Sequence, residues 1–148
     1  MNPAIAFLCR QPNPDGLTVD RVLGMTYSEL EHKHDWVQWA FPTWERSHFN
    51  PTAPTVTFAE ADAAPMEAHV SLHRLAAVYI TFLTRTQEWR HLNNHNHLRI
   101  TRLLKSLRLF GLDVMAQNVA AIAFEASPVT ETTRRLWNEA LTLEIPRV

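Results

Sequence analysis

With 148 residues, 46% of them hydrophobic, the chain is long enough to bury one substantial core and short for two. Its three glycines, Gly16, Gly24 and Gly111, are too few for the positive-φ turns of a sandwich or barrel, and no phosphate-cradling G-x-G-x-x-G or G-x-x-x-x-G-K-[ST] occurs. Fourteen Lys and Arg against fifteen Asp and Glu leave a net charge of −1, which sets up no general field toward nucleic acid or an anionic membrane.

The lone Cys9 excludes an internal disulfide and fits a reducing compartment. The run from Ala4 to Cys9 is too short to cross a membrane and lacks the basic flank and small-residue cleavage site of a signal peptide. Residues 1–17 therefore read as an arm or short helix packed on the core, and a cytoplasmic location is expected. Gln11 to Gly16 is turn chemistry, after which Thr18 or Asp20 can cap a helix. Tyr27, Leu30, Val37 and Phe41, with His34 on the same stripe, predict one helix from Tyr27 that Pro42 stops. Residues 41–56 then hold Pro42, Pro51 and Pro54 around Trp44, Phe49 and Asn50, a long Pro-rich loop of the kind that is functional or tightly packed.

Thr57 and Glu60 form a capping box for a short helix, and Met66 to Glu88 is the longest periodic stretch and the expected central helix. Asn93, Asn94 and Asn96 are candidate caps for the next helix, which Ile100, Leu103, Leu104, Leu107 and Phe110 line on one side and Gly111 ends. Asp113 can cap residues 114–126, and Ser127-Pro128 offers an N-cap with proline at the first position of a last helix ending near Glu144. The expectation is an all-α fold: one compact domain, 1–148, of about five to six helices with one long Pro-rich loop.

Chemistry-bearing residues divide into three groups. If the stripe from Tyr27 to Phe41 faces the core, Trp39 lies on the opposite side of that helix with Trp36 between. Either the helix is buried all round, which the dominance of aromatics in cores favours, or Trp36, Trp39 and Trp44 line a groove for a partner. Gln38 and Asn50 would then donate hydrogen bonds that lock the loop, together with Ser47. Arg99, Arg102, Lys105 and Arg108 recur every third residue as a basic stripe, able to grip phosphates yet typical of any solvated helix face. His32 and His34, His69 and His73, and His95 and His97 are close pairs, but no H-E-x-x-H or C-x-x-C supplies further metal ligands. No nucleophile elbow or glycine-built oxyanion loop accompanies Ser47 and His48, so no catalytic residue is assigned.

Two blocks carry a family resemblance. Leu30-Glu31-His32-Lys33-His34-Asp35-Trp36-Val37-Gln38-Trp39-Ala40-Phe41-Pro42, followed by Ser47, Phe49-Asn50-Pro51 and Ala53-Pro54, resembles the first signature of the opioid growth factor receptor conserved region. His95-Asn96-His97-Leu98-Arg99-Ile100-Thr101-Arg102-Leu103-Leu104-Lys105-Ser106-Leu107, running on to Gly111-Leu112, resembles its second, in the right order and spacing. Trp36 stands where the family often has Tyr or Phe, and Ala40 where it often has Leu. The likeness extends over about Asp20 to Glu125, making residues 18–126 the family core and 127–148 a C-terminal helix. It implies an all-α domain, associated in animals with binding the pentapeptide Met-enkephalin, and a small stand-alone member without the animal receptor's C-terminal repeats.

Shared membership in the two blocks also suggests that Arg99 and Arg102 pair with Glu31 or Asp35, and that His34 and His95 are partly buried and meet Asp35. His34, Asp35, Gln38, Asn50, His95 and Asn96 are accordingly read as structural signature residues. Trp36, Trp39, Trp44, Arg99, Arg102 and Lys105 are the candidate partner-binding residues. The reading is a non-enzymatic binding module with a peptide or protein partner, no metal or other cofactor, and no membrane association. A His-rich metal-binding protein or metal-dependent enzyme and a nucleic-acid-binding helix protein are the alternatives, the latter disfavoured by the net charge. A homo-oligomer through the aromatic surface stays open.

Overall fold

A computed structural model describes residues 1–126 and 128–147. Among them the chain forms nine helices and no strand: α1 (Pro3–Leu8), α2 (Val19–Leu23), α3 (Tyr27–His32), α4 (Val37–Ala40), α5 (Phe58–Asp62), α6 (Met66–Arg85), α7 (His95–Leu109), α8 (Asp113–Ala126) and α9 (Glu131–Thr142). The last four are the long ones. The count exceeds the expected five to six because the first sixty residues break into pieces of one or two turns.

Side-chain caps explain most of the boundaries. Asn2 accepts from the Ala4 amide and Pro3 occupies the first turn of α1, where its missing N–H costs nothing. Thr18 caps α2, and Thr26 with Glu29 and Thr57 with Glu60 close reciprocal capping boxes on α3 and α5. Asn94 caps α7. Asp113, expected as a cap, is the first residue of α8 itself. Ser127 lies outside the described residues. Thr130 caps α9 by accepting from the Thr133 amide, so Pro128 precedes the helix, which ends at Thr142 and not near Glu144.

The single helix expected from Tyr27 to Phe41 is two. Lys33 is extended (φ −80°, ψ 135°) and ends α3, and the chain re-enters a helix only at Val37. The apolar steps ran through a seven-residue gap between Leu30 and Val37, which a helix and a helix–turn–helix satisfy equally well. Without a continuous helix, Tyr27 and His34 of the supposed core stripe are exposed, while Trp36, Val37, Trp39, Ala40 and Phe41 are all buried.

Packing is organised by two helices. α6 buries Leu72, Leu75, Ala76, Tyr79, Phe82 and Leu83 and takes α1 and α2 against it, with α1 also touching α4. α7 buries Ile100, Leu103, Leu104 and Leu107 and takes α8 and α9. Each buried Leu, Ile or Phe among them contributes about 1.5–3 kcal/mol by leaving water. α6 stops at Arg85, short of Glu88, because Thr86 Oγ1 donates to Phe82 O (2.7 Å) and Trp89 Nε1 to Leu83 O (2.8 Å), which closes the terminal carbonyls. Trp137 of α9 is fully buried, donates from Nε1 to His97 O at 3.1 Å and meets Phe124 edge-on.

The end of α7 is a Schellman turn. Gly111 has φ +78°, its N–H donates to Arg108 O (3.1 Å), and the Leu112 N–H donates to Leu107 O (2.8 Å). Gly24 has no such need: its φ is −92° and an added Cβ would lie 3.5 Å from Asp20 O, an ordinary contact. Gly111→Ala is expected to lower the unfolding free energy by about 1 kcal/mol, from a Cβ forced into the left-handed region. Gly24→Ala should change it by less than about 0.5 kcal/mol. Urea titrations followed by circular dichroism measure both.

Candidate functional site

The first turn of α7 projects His95, Asn96 and Arg99 toward α3. Arg99 is buried, and its planar fork donates from Nη1 to Leu30 O (2.6 Å) and from Nη2 to Lys33 O (2.8 Å), with His34 Nδ1 at 3.2 Å. These are carbonyls at the end of α3, where the helix dipole is negative and a cation is favoured. The guanidinium also lies 5.5 Å from the centroid of the Trp36 ring. Asn96, fully buried, donates from Nδ2 to Glu31 Oε2 (2.9 Å) and accepts at Oδ1 from the Tyr79 hydroxyl (2.5 Å). His95 Nε2 lies 3.1 Å from Glu31 Oε1. Complete burial pushes the Tyr79 phenol well above its usual pKa, so it remains a donor.

Further along α7, Arg102 and Lys105 face residues 43–51. That segment is held by its own side chains: Thr43 Oγ1 accepts from the Glu45 amide (3.2 Å), and Ser47 Oγ from the amides of Phe49 and Asn50 (3.2 Å each). Val56 N–H donates to Thr43 O at 2.9 Å and closes the loop at its base. Lys105 Nζ meets Glu45 Oε1 at 2.6 Å and lies 5.9 Å from the centroid of the Trp44 ring, which packs on Phe58.

Between this loop and α7 is a cleft of about 540 Å³. Its walls include His34, Val37 and Gln38 from the first signature block, Arg46 and Phe49 from the loop, and His95, Leu98 and Arg102 from the second block. Two buried polar atoms on this wall have no hydrogen-bond partner among the described residues, Arg102 Nε and Gln38 Oε1. Burial pushes the Arg102 guanidinium down to about 10, still protonated at neutral pH, with Glu45 opposing the shift. Phe49 (78% exposed) and Leu98 (50%) give the mouth an apolar edge.

The candidate residues separate accordingly. Trp36 and Trp39 are core residues, 1% and 8% exposed, so they line no groove; the break at Lys33 turns both inward. Trp44 is half-buried beside the loop. Arg99 is engaged by backbone carbonyls and not by Glu31 or Asp35, because the end of α3 comes closer to it than either carboxylate. Asp35 is exposed, and His34 meets the His95 ring (5.8 Å between centroids) and Arg99 instead. Gln38 and Asn50 do not donate the loop-locking bonds: Ser47 receives them, Asn50 Oδ1 accepts from Thr52 Oγ1, and Gln38 Oε1 is unpartnered.

The basic stripe is not a continuous face. Arg108 donates to Ala140 O (2.8 Å) and Leu143 O (2.6 Å) at the end of α9 and so serves as a cap. Only Arg102 and Lys105 of the four reach the cleft without also being engaged by helix-terminal carbonyls. No group of three His, Cys, Asp or Glu side chains among the described residues could hold a metal ion. His69 is occupied with Pro65 O and meets the Phe110 ring at a near-perpendicular angle. Sequence reasoning did not single out Arg46, Phe49 or Leu98 as a lining set. The only signal for Leu98 was an apolar residue on the polar side of α7.

The fold and this network define an all-helical domain in which two distant sequence blocks dock through buried polar side chains and leave a basic cleft beside the joint. The sequence model of the opioid growth factor receptor conserved region matches residues 7–88, and the chain belongs to that family. Opioid growth factor receptor-like protein 1 is 28% identical in mouse and 27% identical in Xenopus tropicalis; each alignment covers 86% of this chain and 32% and 29% of the relative. Those alignments necessarily run beyond residue 88 into α7. Mouse opioid growth factor receptor is 32% identical over 72% of this chain and 20% of its own length. The chain thus spans about a third or less of the length of these relatives. No solved structure matches, and no helix among the described residues is long and apolar enough to cross a membrane.

Two predictions follow from the buried network. Arg99→Lys keeps the charge but loses the fork that spans two carbonyls, and should destabilise the fold by about 2–3 kcal/mol. Arg102→Gln should cost less than about 1 kcal/mol; equilibrium denaturation separates the two. Burial also lowers the pKa of His97, whose Nε2 lies 2.8 Å from Trp89 O, a bond that partly opposes the shift. Above the unfolded value near 6.5 both states are neutral; below it the unfolded state takes up a proton that the folded state resists, so stability falls with pH. The thermal midpoint should drop between pH 7 and 5.5, and by less in His97→Gln.

Proposed function

We propose that the domain is a non-enzymatic binding module whose site is the cleft between residues 43–51 and α7, and that its partner is a peptide or protein. One observation carries this reading: the two signature blocks, about sixty residues apart, meet at a single cavity. Of the polar side chains on its walls, Arg99 is engaged within the fold, whereas Arg102 Nε and Gln38 Oε1 are not. Its volume lies in the usual range for ligand sites, and its apolar edge at Phe49 and Leu98 suits side-chain contacts. The family relatives are named as a receptor and a receptor-like protein, which agrees with a ligand of this kind.

Binding should therefore map to the cleft. Peptides selected from a displayed random library on the purified chain, with Met-enkephalin titrated alongside, should shift backbone amide resonances of residues 43–51 and the first half of α7. The double variant Phe49→Ala, Leu98→Ala should keep its helical circular dichroism, since both side chains are at least half exposed, and lose at least tenfold in affinity. Selected peptides that shift resonances only elsewhere would overturn the assignment.

A further inference from the structure

We propose that this cleft recognises a phosphomonoester dianion carried on an apolar or aromatic side chain, that is, a phosphorylated residue of a peptide. The inference rests on the cleft being the peptide site and adds the chemistry that selects among peptides.

The argument begins with charge. Arg46, Arg99, Arg102 and Lys105 contribute cations to the walls, and Glu45 is the one carboxylate among the lining residues. Two of these cations are already answered: Arg99 by the carbonyls of α3, and Lys105 by Glu45 at 2.6 Å. Among the described residues Arg46 reaches only Pro51 O, at 3.4 Å. Arg102 is the more telling, because its Nε is shielded from water without a partner and the acid nearest in influence is the one that Lys105 holds. A charge kept partly out of water without its counterion destabilises the folded state. Arg102 is such a cation, and Arg46, exposed on the loop side of the same cleft, meets no carboxylate among the described residues, so the cleft suits a ligand bringing about two negative charges.

A phosphomonoester carries about −1.5 to −2 at pH 7 and offers three acceptor oxygens, whereas a carboxylate brings one charge and two oxygens. Guanidinium forks match phosphate oxygens in paired hydrogen bonds. His34, His48 and His95 also line the cleft. Gln38 adds to the lining a buried amide whose oxygen has no partner among the described residues.

The remaining walls say what carries the phosphate. A cavity of about 540 Å³ is several times larger than a bare phosphate needs, and Phe49 and Leu98 stand exposed at its mouth. A ring or apolar stem between phosphate and peptide backbone would fill that space and cover both side chains.

The test uses N-acetyl-phosphotyrosine amide, N-acetyl-tyrosine amide and inorganic phosphate, each titrated into the full chain and followed by amide resonances. The phosphorylated probe should shift residues 43–51 and those around Arg102, with at least tenfold tighter binding than either other probe. Arg46→Gln, an exposed position where folding is not at risk, and Arg102→Gln should each weaken it at least tenfold, while Arg135→Gln on the exposed face of α9 should leave it unchanged. Equal binding of the unphosphorylated probe, equal binding of inorganic phosphate, or full affinity in both cleft variants would each overturn the proposal. Library peptides that occupy the cleft regardless of phosphorylation would leave the peptide site standing and refute only the phosphate. A cleft that neither those peptides nor the phosphorylated probe enters would refute both.

Discussion

The fold turns on one buried arginine. α3 is less than two turns long, too short to hold itself together, and its last carbonyls have no helical successor. Arg99 enters from α7, nearly seventy residues away, and ties Leu30 O and Lys33 O with a single fork. That contact ends α3 where it does and sets the turn that brings Trp36 over the guanidinium. With Trp36 placed, the chain re-enters as α4 with Trp39 and Phe41 pointing into the core. Glu31 and Asn96 extend the same joint to Tyr79 of α6, so α3, α6 and α7 meet in one polar cluster inside an apolar surround. In such surroundings the bonds are strong, and any one left unmade is costly.

The same device recurs at the other end of the molecule. Arg108 of α7 caps α9, and Arg147 returns from beyond α9 to donate to Leu109 O (2.8 Å) and Arg108 O (2.6 Å) at the end of α7. Three arginines thus terminate three helices across long sequence separations. Much of the positive charge that looks from its spacing along α7 like a surface for phosphate is therefore structural, directed at backbone carbonyls. Arg102, lying between Arg99 and Arg108 on the same helix, differs from both in meeting no helix end.

Local signals in the sequence carried far. The Thr57 to Glu60 capping box, the Asn94 cap and the left-handed Gly111 are each decided within five residues, and the structure has all three. The long helices follow from apolar periodicity sustained over three or more turns. The break at Lys33 was not legible, because its cause is Arg99, and no window around residues 27–41 contains it. The burial of Trp36 and Trp39 was hidden for the same reason: a helical wheel drawn through a break assigns faces to residues that no longer share an axis. The candidate site was legible in part. Two blocks recognised by resemblance do converge, yet which of their cations stay available depends on helix ends that only the fold brings near. Arg46 and Leu98 carried no pattern that set them apart.

A domain of this size keeps only a small margin of stability, so an ill-compensated cation beside its principal joint calls for a reason. Gln or Met in place of Arg102 would remove the unpartnered nitrogen and keep the aliphatic packing that the stem provides. Lys105 shows that the same helix face can answer a cation when structure alone is at stake, since Glu45 meets it directly. Glu45 cannot serve Arg102 equally while held there, and no other residue lining the cleft is an acid. Natural sequences depart from local consistency chiefly where function requires it. Arg102 is such a departure, set one turn from the buried and carbonyl-bound Arg99 and lining the cleft that both signature blocks share.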